Sequence, residues 1–187
     1  MRILFITGNE NKLAEARAIL GPDIEIEAQD IDLPEIQSLD PEEVIKAKLI
    51  EARRHISGPF FVEDTSLFFD AWNGLPGPLI KWFLKSVGNQ GLWDMLQQGV
   101  STHGAEARSV IGYVDQQDQM HFFTGRLGGQ IVSPSGSTQF GWDPIFLPFT
   151  MPVGTKTFAD MTPEEKNAIS MRRKALEGLR THLLSQR

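Results

Sequence analysis

The chain contains no cysteine among its 187 residues. Thiolate nucleophiles, disulfide frameworks and sulfur-ligated zinc are therefore excluded, and the composition suits a reducing compartment. Long apolar runs are missing as well, since no stretch approaches the ~18 residues of a membrane-spanning helix. The opening apolar run, residues 2–7, is too short for the apolar region of a signal peptide. A cytoplasmic location with no membrane partner is expected. Positive charge is not in surplus either. Eighteen Lys and Arg stand against 24 Asp and Glu, for a formal net charge of −6. That balance disfavours a nucleic-acid polymer as partner, which needs a clustered basic surface. It still permits a small anionic ligand, because a few lysines and a metal make one pocket locally positive. Low-complexity tracts and internal repeats are also absent. What is present is ordinary for a globular protein: 41% hydrophobic and 22% charged residues. The length fits a single domain over 1–187, able to bury roughly 70% of the surface of its unfolded chain.

Residues 2–7 (RILFIT) read as a buried first strand, followed by the polar turn TGNENK. Apolar residues at Leu13, Ala16, Ile19 and Leu20 give residues 10–20 a helical spacing, and Gly21-Pro22 ends it. Residues 24–28 read as a second strand. Asp40-Pro41-Glu42-Glu43 starts a helix, with Asp as N-cap and Pro at the first helical position, and the helix runs to about His55. Residues 60–63 form a short strand whose end presents Glu63 and Asp64. Helices are expected over 79–87 and 90–98, and a single terminal helix over 163–184. The alternating stretches 105–115 and 119–125 predict an antiparallel hairpin around 116–118. Interleaved strands and helices with an added hairpin indicate an α/β protein with a mixed sheet.

Four loops hold small, polar and aromatic residues where the core pattern stops. Thr7-Gly8-Asn9-Glu10-Asn11-Lys12 sets helix N-terminal amides, a glycine and a lysine together, a combination that holds phosphate. It lacks the glycine spacing of a Walker loop, and alone it reads equally as a helix cap with a solvated lysine. In Val62-Glu63-Asp64-Thr65-Ser66, adjacent carboxylates are natural ligands for a hard metal, or two solvated acids. Glu35, after Leu33-Pro34, is another acid leaving an apolar segment. Gly74-Leu75-Pro76-Gly77-Pro78 makes a rigid turn that delivers Lys81 early in a helix. A cation there opposes the helix dipole unless it serves an incoming anion; otherwise the segment is a structural turn. Phe140-Gly141-Trp142-Asp143-Pro144 offers a flat ring for a base and an acceptor for ring N–H groups, or simply an aromatic core corner.

Taken in order, these segments resemble the inosine triphosphate pyrophosphatases, a family acting on non-standard purine nucleoside triphosphates. The likeness runs from Ile3 to about Leu179. It rests on TGNENK (7–12), LPE (33–35), VEDTSL (62–67), GLPGPLIKWF (74–83), FGWDPIF (140–146) and EEKNAIS (164–170). GLPGPLIKWF and the EDT form of the acidic motif look closest to eukaryotic and archaeal-type members. The resemblance implies an elongated, two-lobed α/β fold around a central mixed sheet with flanking helices, a nucleotide cleft between the lobes, and a homodimer. It implies triphosphate contacts from Thr7, Gly8, Asn9, Asn11 and Lys12, with Lys48, Thr65 and Lys81 adding to them. Glu35 and Asp64, with Glu63 beside them, look like the ligands of Mg²⁺, for which Mn²⁺ is a substitute. Phe140, Gly141, Trp142 and Asp143 are similar to the base-recognition loop, and Lys166 and Arg172 to donors closing over the base. The family usually reads Ser-His-Arg where this chain has Ser170-Met171-Arg172, so Met171 is expected either to lie against the base with one donor fewer or merely to pack on the terminal helix.

The expected activity is release of pyrophosphate from inosine, deoxyinosine and xanthosine triphosphates, leaving monophosphate and cleansing the nucleotide pool. Asp64 is the expected base that orients and deprotonates the attacking water. No serine has a clear His/Asp partnership, so a covalent intermediate is not expected. Two rivals differ in what they require. A pyrophosphatase for modified pyrimidine or ordinary triphosphates would keep the metal site and change the base loop. A catalytically silent nucleotide binder would have lost Glu35, Asp64 or the phosphate lysines.

Overall fold

The computed structural model describes residues 1–98, 102–136, 140–150 and 156–186. The chain opens with strand β1 (Arg2–Ile6) and helix α1 (Glu10–Leu20). Asn9 caps α1, its Oδ1 accepting the Lys12 amide at 3.1 Å, and Gly21 ends it at φ 73°, a left-handed value that favours glycine. Strand β2 (Glu25–Gln29) follows, then helix α2 (Pro41–Ala52). Asp40 caps α2 by accepting the Glu42 amide at 2.9 Å. Strand β3 (Phe60–Phe69) leads through a short 3₁₀ turn to the two-residue strand β4 (Pro76–Gly77) and helix α3 (Ile80–Leu96). Hairpin strands β5 (Gly104–Val114) and β6 (Met120–Ile131) and the short β7 (Phe146–Pro148) complete the sheet. Helices α4 (Pro163–Ile169) and α5 (Met171–Ser185) close the chain.

The sheet order is β2-β1-β3-β5-β6-β7, with β4 on β3. β1 runs parallel to β2 and β3, whereas β3, β5, β6 and β7 are joined antiparallel. This is the mixed, open sheet with flanking helices that the pattern implied. α1 and α5 cover one face of the β1 side, around Phe5, Phe61 and Ile111. α2 covers the other face, around Ile45, Leu49 and Val110. A third cluster, with Leu67, Leu92, Trp142 and Phe158, lies at the opposite end under α3.

One feature of the pairing makes the site. β5 pairs with β3 along its whole length. On the other edge, β1 reaches only Phe60 and Phe61, and β4 only Leu67 and Phe68. The edge of β3 over residues 62–66 is thus left open between two short neighbours, and the cleft lies at that gap between the two ends of the molecule.

Two expectations are corrected. β3 does not stop at Glu63 but continues to Phe69, because DTSLFF pairs residue for residue with β5; the acids stand in mid-strand beside the gap. The terminal helix is two helices, divided at Ser170, whose backbone is extended (φ −62°, ψ 152°) and whose hydroxyl caps α5. α3 leaves helical geometry at Gly88 (φ 67°, ψ −177°), which divides it into two helical segments, in line with the expected helices over 79–87 and 90–98.

α5 sits almost on the backbone of β6. A Cβ at Gly125 would overlap the Met171 carbonyl and lie 2.8 Å from the Ala175 nitrogen. Gly125→Ala is therefore expected to destabilise the protein by about 2 kcal/mol, a typical overpacking cost, lowering Tm by about 4–8 °C for a chain of this size. A melting temperature within a degree of wild type would show that α5 is free to move away.

Candidate active site

The cleft is about 980 Å³ in volume. Three walls supply its lysine-rich end. The first is the loop after β1. Thr7 Oγ1 accepts the Asn9 amide at 3.1 Å, shaping residues 7–9 so that they line the cleft. At Gly8 a Cβ would lie 2.6 Å from an Asp30 carboxylate oxygen, so a side chain there requires the exposed Asp30 to turn aside. The second wall is α2. Its apolar stripe of Val44, Ile45, Leu49 and Ala52 also contains Lys48, which is 8% exposed. The third is the start of α3, which brings Lys81.

Asp64 and Glu63 are neighbours in sequence but not in space. Strand alternation turns them to opposite faces of the sheet. Asp64 faces α2: its Oδ2 lies 3.0 Å from Lys48 Nζ, which also reaches Glu35 Oε1 at 3.2 Å. Lys81 Nζ approaches Glu35 Oε2 at 2.7 Å. Glu63 faces α1 and α5. It accepts from Ser109 Oγ at 2.8 Å and Arg172 Nε at 3.1 Å, and Lys12 Nζ lies 2.9 Å from its other oxygen. Lys12 also donates to the Glu63 carbonyl at 3.2 Å, filling part of the open strand edge. The structure thus brings Glu35 and Asp64 together and leaves Glu63 out of that pair.

At the other end of the cleft, Lys166 Nζ lies 2.6 Å from Asp143 Oδ2 and 3.0 Å from Glu15 Oε1. Glu15 also pairs with Arg172. A chain of alternating charges therefore runs the length of the cleft: Lys81, Glu35, Lys48, Asp64, Lys12, Glu63, Arg172, Glu15, Lys166, Asp143. The Asp64–Lys12 link is its longest, at 3.9 Å. The Phe140 ring lies under this second end, with Lys166 Nζ at 4.7 Å from its centroid and the Arg172 guanidinium at 5.8 Å. Trp142 is 6% exposed and packs inward, on Phe146 and Phe158.

The electrostatics follow from this chain. Burial pushes Glu63 up, but Arg172 and Lys12 outweigh it and hold the carboxyl down at about 2. Burial also opposes the charge on Glu35, and again Lys81 and Lys48 win and lower its pKa. Lys48 is held above its ordinary value: Asp64 and Glu35 overcome its desolvation. Burial raises Asp143, against the pull of Lys166. Glu63, Glu35 and Lys48 are thus held as ions where a desolvated charge would otherwise neutralise, whereas at Asp143 burial works against the charge.

Every expected site residue lines the cleft except Asn11, which lies exposed on the outer side of α1. Met171 lines it from within the core: it is 2% exposed and belongs to the cluster under α3. The break at Ser170 serves the site. On an unbroken helix, positions 166 and 172 would point about 120° apart; the break lets both reach Glu15. Sequence reasoning missed Glu15, which stands behind the lining as the partner of Lys166 and Arg172, and it missed Asp30, Asp32, Trp82 and Lys85 of the lining itself. Glu15 carries no local signal, because its partners lie 151 and 157 residues away.

An open α/β sheet, with a helix N-terminus, three lysines and two carboxylates gathered at one cleft, has the chemistry to hold phosphate groups and a stacked ring. A family model described as the Ham1 family matches residues 3–182, and the chain belongs to that family. It is 46% identical over 185 residues to the inosine triphosphate pyrophosphatase of Emericella nidulans, covering 98% of this chain and 97% of that one. Among solved structures, the Ham1 protein of Staphylococcus aureus is 25% identical at a TM-score of 0.79, each chain covered completely. A nucleoside-triphosphatase / dITP/XTP pyrophosphatase from Mycobacterium abscessus is 30% identical at a TM-score of 0.71, covering 96% of this chain and 98% of that one.

Proposed function

We propose that the protein is a magnesium-dependent pyrophosphatase that converts inosine, deoxyinosine and xanthosine triphosphates to monophosphate and pyrophosphate. One observation carries the reading: a single cleft has three lysines around two carboxylates at one end and Phe140 beside two buried donors at the other. The names of the relatives in Emericella and Mycobacterium support it.

The donor set suits magnesium, or manganese in its place. Glu35 and Asp64 are hard oxygen ligands from two elements, close enough to share one ammonium. Among the described residues, no three acidic, His or Cys groups form a cage. Two carboxylates completed by waters and substrate phosphates is the arrangement magnesium prefers over an all-protein site. When bound there, the metal supplies charge neutralisation and Lewis-acid polarisation of the phosphoryl oxygens. Lys12, Lys48 and Lys81 hold the phosphate oxygens and the developing charge of the leaving group. Asp64 takes the proton of a water that attacks the α-phosphorus; the bond to the bridging oxygen breaks, and pyrophosphate departs with that oxygen. At the base end, Lys166 and Arg172 donate to the 6-oxo group. A 6-amino group would leave them facing a donor, and buried donors left unpaired penalise the wrong substrate strongly.

The assembly that fits this reading is a homodimer. Beyond α2 one sheet face lies uncovered, and large apolar side chains are exposed along it: Leu39 and Phe149 at 65% and Leu75 at 41%. No helix among the described residues is long and apolar enough to cross a membrane, and a cytoplasmic enzyme without a nucleic-acid polymer as partner fits the charge balance.

A product panel tests the reading. Inosine, deoxyinosine and xanthosine triphosphates are expected to release pyrophosphate, not orthophosphate, and only with Mg²⁺. Orthophosphate as first product, or full activity in excess chelator, sinks the mechanism. Preference for adenosine triphosphate removes Lys166 and Arg172 from base recognition, preference for pyrimidines favours the rival enzyme, and no turnover favours a silent binder.

A further inference from the structure

We infer that Asn89 is a positioning residue that fixes the turn carrying Phe140, and so sets how tightly the base end of the cleft holds a purine. The inference rests on the proposed purine-triphosphate reading. Residues 140–143 form a tight turn closed by the Asp143 amide donating to the Phe140 carbonyl at 3.1 Å. Gly141 has φ 57°, and Trp142 has φ −100° and ψ 9°, the signature of a type II′ turn. Two of its four residues are anchored by their side chains. Trp142 is buried in the core, and Asp143 bonds to Lys166. The tip is not held by packing: a Cβ on Gly141 would meet nothing within 4 Å.

What holds the tip is Asn89. Its Nδ2 donates to the Gly141 carbonyl at 3.0 Å, and that carbonyl belongs to the central peptide of the turn. Rotation of this peptide is the motion that separates one hairpin-type turn from its alternative. The amide is committed to that contact. The reverse orientation would set two oxygens against each other, and the Oδ1 left behind is buried with no hydrogen-bond partner among the described residues. An orphaned acceptor is unusual in a native structure.

Asn89 is placed by the break in α3. Gly88 adopts a backbone conformation essentially restricted to glycine. Before it, α3 lines the cleft with Lys81 and Lys85; after it, Leu92 and Leu96 are fully buried. Asn89 is the first residue after the break, so the turn is tied to the segment that Leu92 and Leu96 anchor in the core rather than to the segment that carries Lys81 and Lys85. Phe140, freed from that tie, would lose its place beside Lys166 and Arg172.

The test uses binding, so that chemistry does not enter. Inosine monophosphate probes the base end and inorganic tripolyphosphate the phosphate end, both by calorimetry. Asn89→Asp removes the donor and sets a carboxylate against the carbonyl. It is expected to weaken inosine monophosphate roughly five- to tenfold, the range that a lost hydrogen bond allows, while tripolyphosphate changes by less than about twofold. The KM for inosine triphosphate should rise by the same factor with kcat nearly unchanged. Asn89→Gln, which keeps a donor, should recover part of the loss. Equal weakening of both probes, or inosine monophosphate affinity untouched in Asn89→Asp, overturns the inference. Wild-type protein that binds tripolyphosphate but no inosine monophosphate overturns instead the purine reading on which it stands.

Discussion

Asp64→Asn is expected to reduce turnover of inosine triphosphate by on the order of 10²- to 10⁴-fold, the usual worth of a general base, while the protein stays folded. The geometry makes the substitution selective. Asp64 lies beside the open stretch of β3, about a fifth exposed, so its replacement disturbs no core packing. Asparagine keeps an oxygen that can accept the Thr65 amide, now bound to Asp64 Oδ1 at 2.9 Å. What it loses is charge and basicity. The amide cannot take a proton from water, it is a poor ligand for a hard divalent cation, and its NH₂ group would face the Lys48 ammonium. The loss should fall on kcat more than on KM, because Thr7, Asn9, Lys12 and Lys81 still meet the phosphates. Single-turnover measurements with an unchanged melting temperature check it. A variant that retains more than about a tenth of wild-type turnover would falsify the assignment of Asp64 as base.

Much of this site can be read along the chain, and the rest divides by physical cause. Local rules are visible in sequence: the Asn9 and Asp40 caps, the glycine stop at Gly21 and the β5–β6 hairpin all depend on neighbours within a few residues. Lys48 is reached in sequence only through the family resemblance, and the structure then shows it as the one cation in the buried stripe of α2. The extent of β3 is not visible in sequence, because whether DTSLFF continues a strand depends on its pairing with β5, more than forty residues on. The same strand shows how adjacency in sequence misleads. Glu63 and Asp64 read as a paired acidic motif, yet an extended backbone turns successive side chains apart, and only one of the two joins Glu35. Glu15 is the hardest case: on α1 it looks like any acid on a solvated helix face. Its role exists only once the break at Ser170 swings Lys166 and Arg172 toward it.

Glu63→Gln is expected to destabilise the protein by about 3 kcal/mol at neutral pH, the scale found when one partner of a buried ion pair is removed. The corresponding fall in Tm is about 6–12 °C. Glu63 is 6% exposed and stands between Arg172 and Lys12. Glutamine fits the space and can still accept from Ser109, so the change isolates charge from volume. The sign of the pH dependence follows from the direction of the shift. The folded carboxyl titrates at about 2, below its ordinary 4.5. Its contribution is therefore complete above about pH 4.5 and is lost as the pH falls from there toward 2. Wild-type protein should lose stability across that window, and Glu63→Gln should show a shallower acid limb from a lower starting point. Denaturant unfolding at a series of pH values between neutral and acid reads both quantities at once. Parallel acid limbs in the two proteins would mean that Glu63 is not held as an ion by Arg172. The link joining the phosphate end of the charge chain to its base end would then have to lie elsewhere. If the limbs diverge as expected, Glu63 is the strut of the cleft: a carboxylate turned away from its acidic neighbour, holding in place Lys12 on one side and Arg172 on the other.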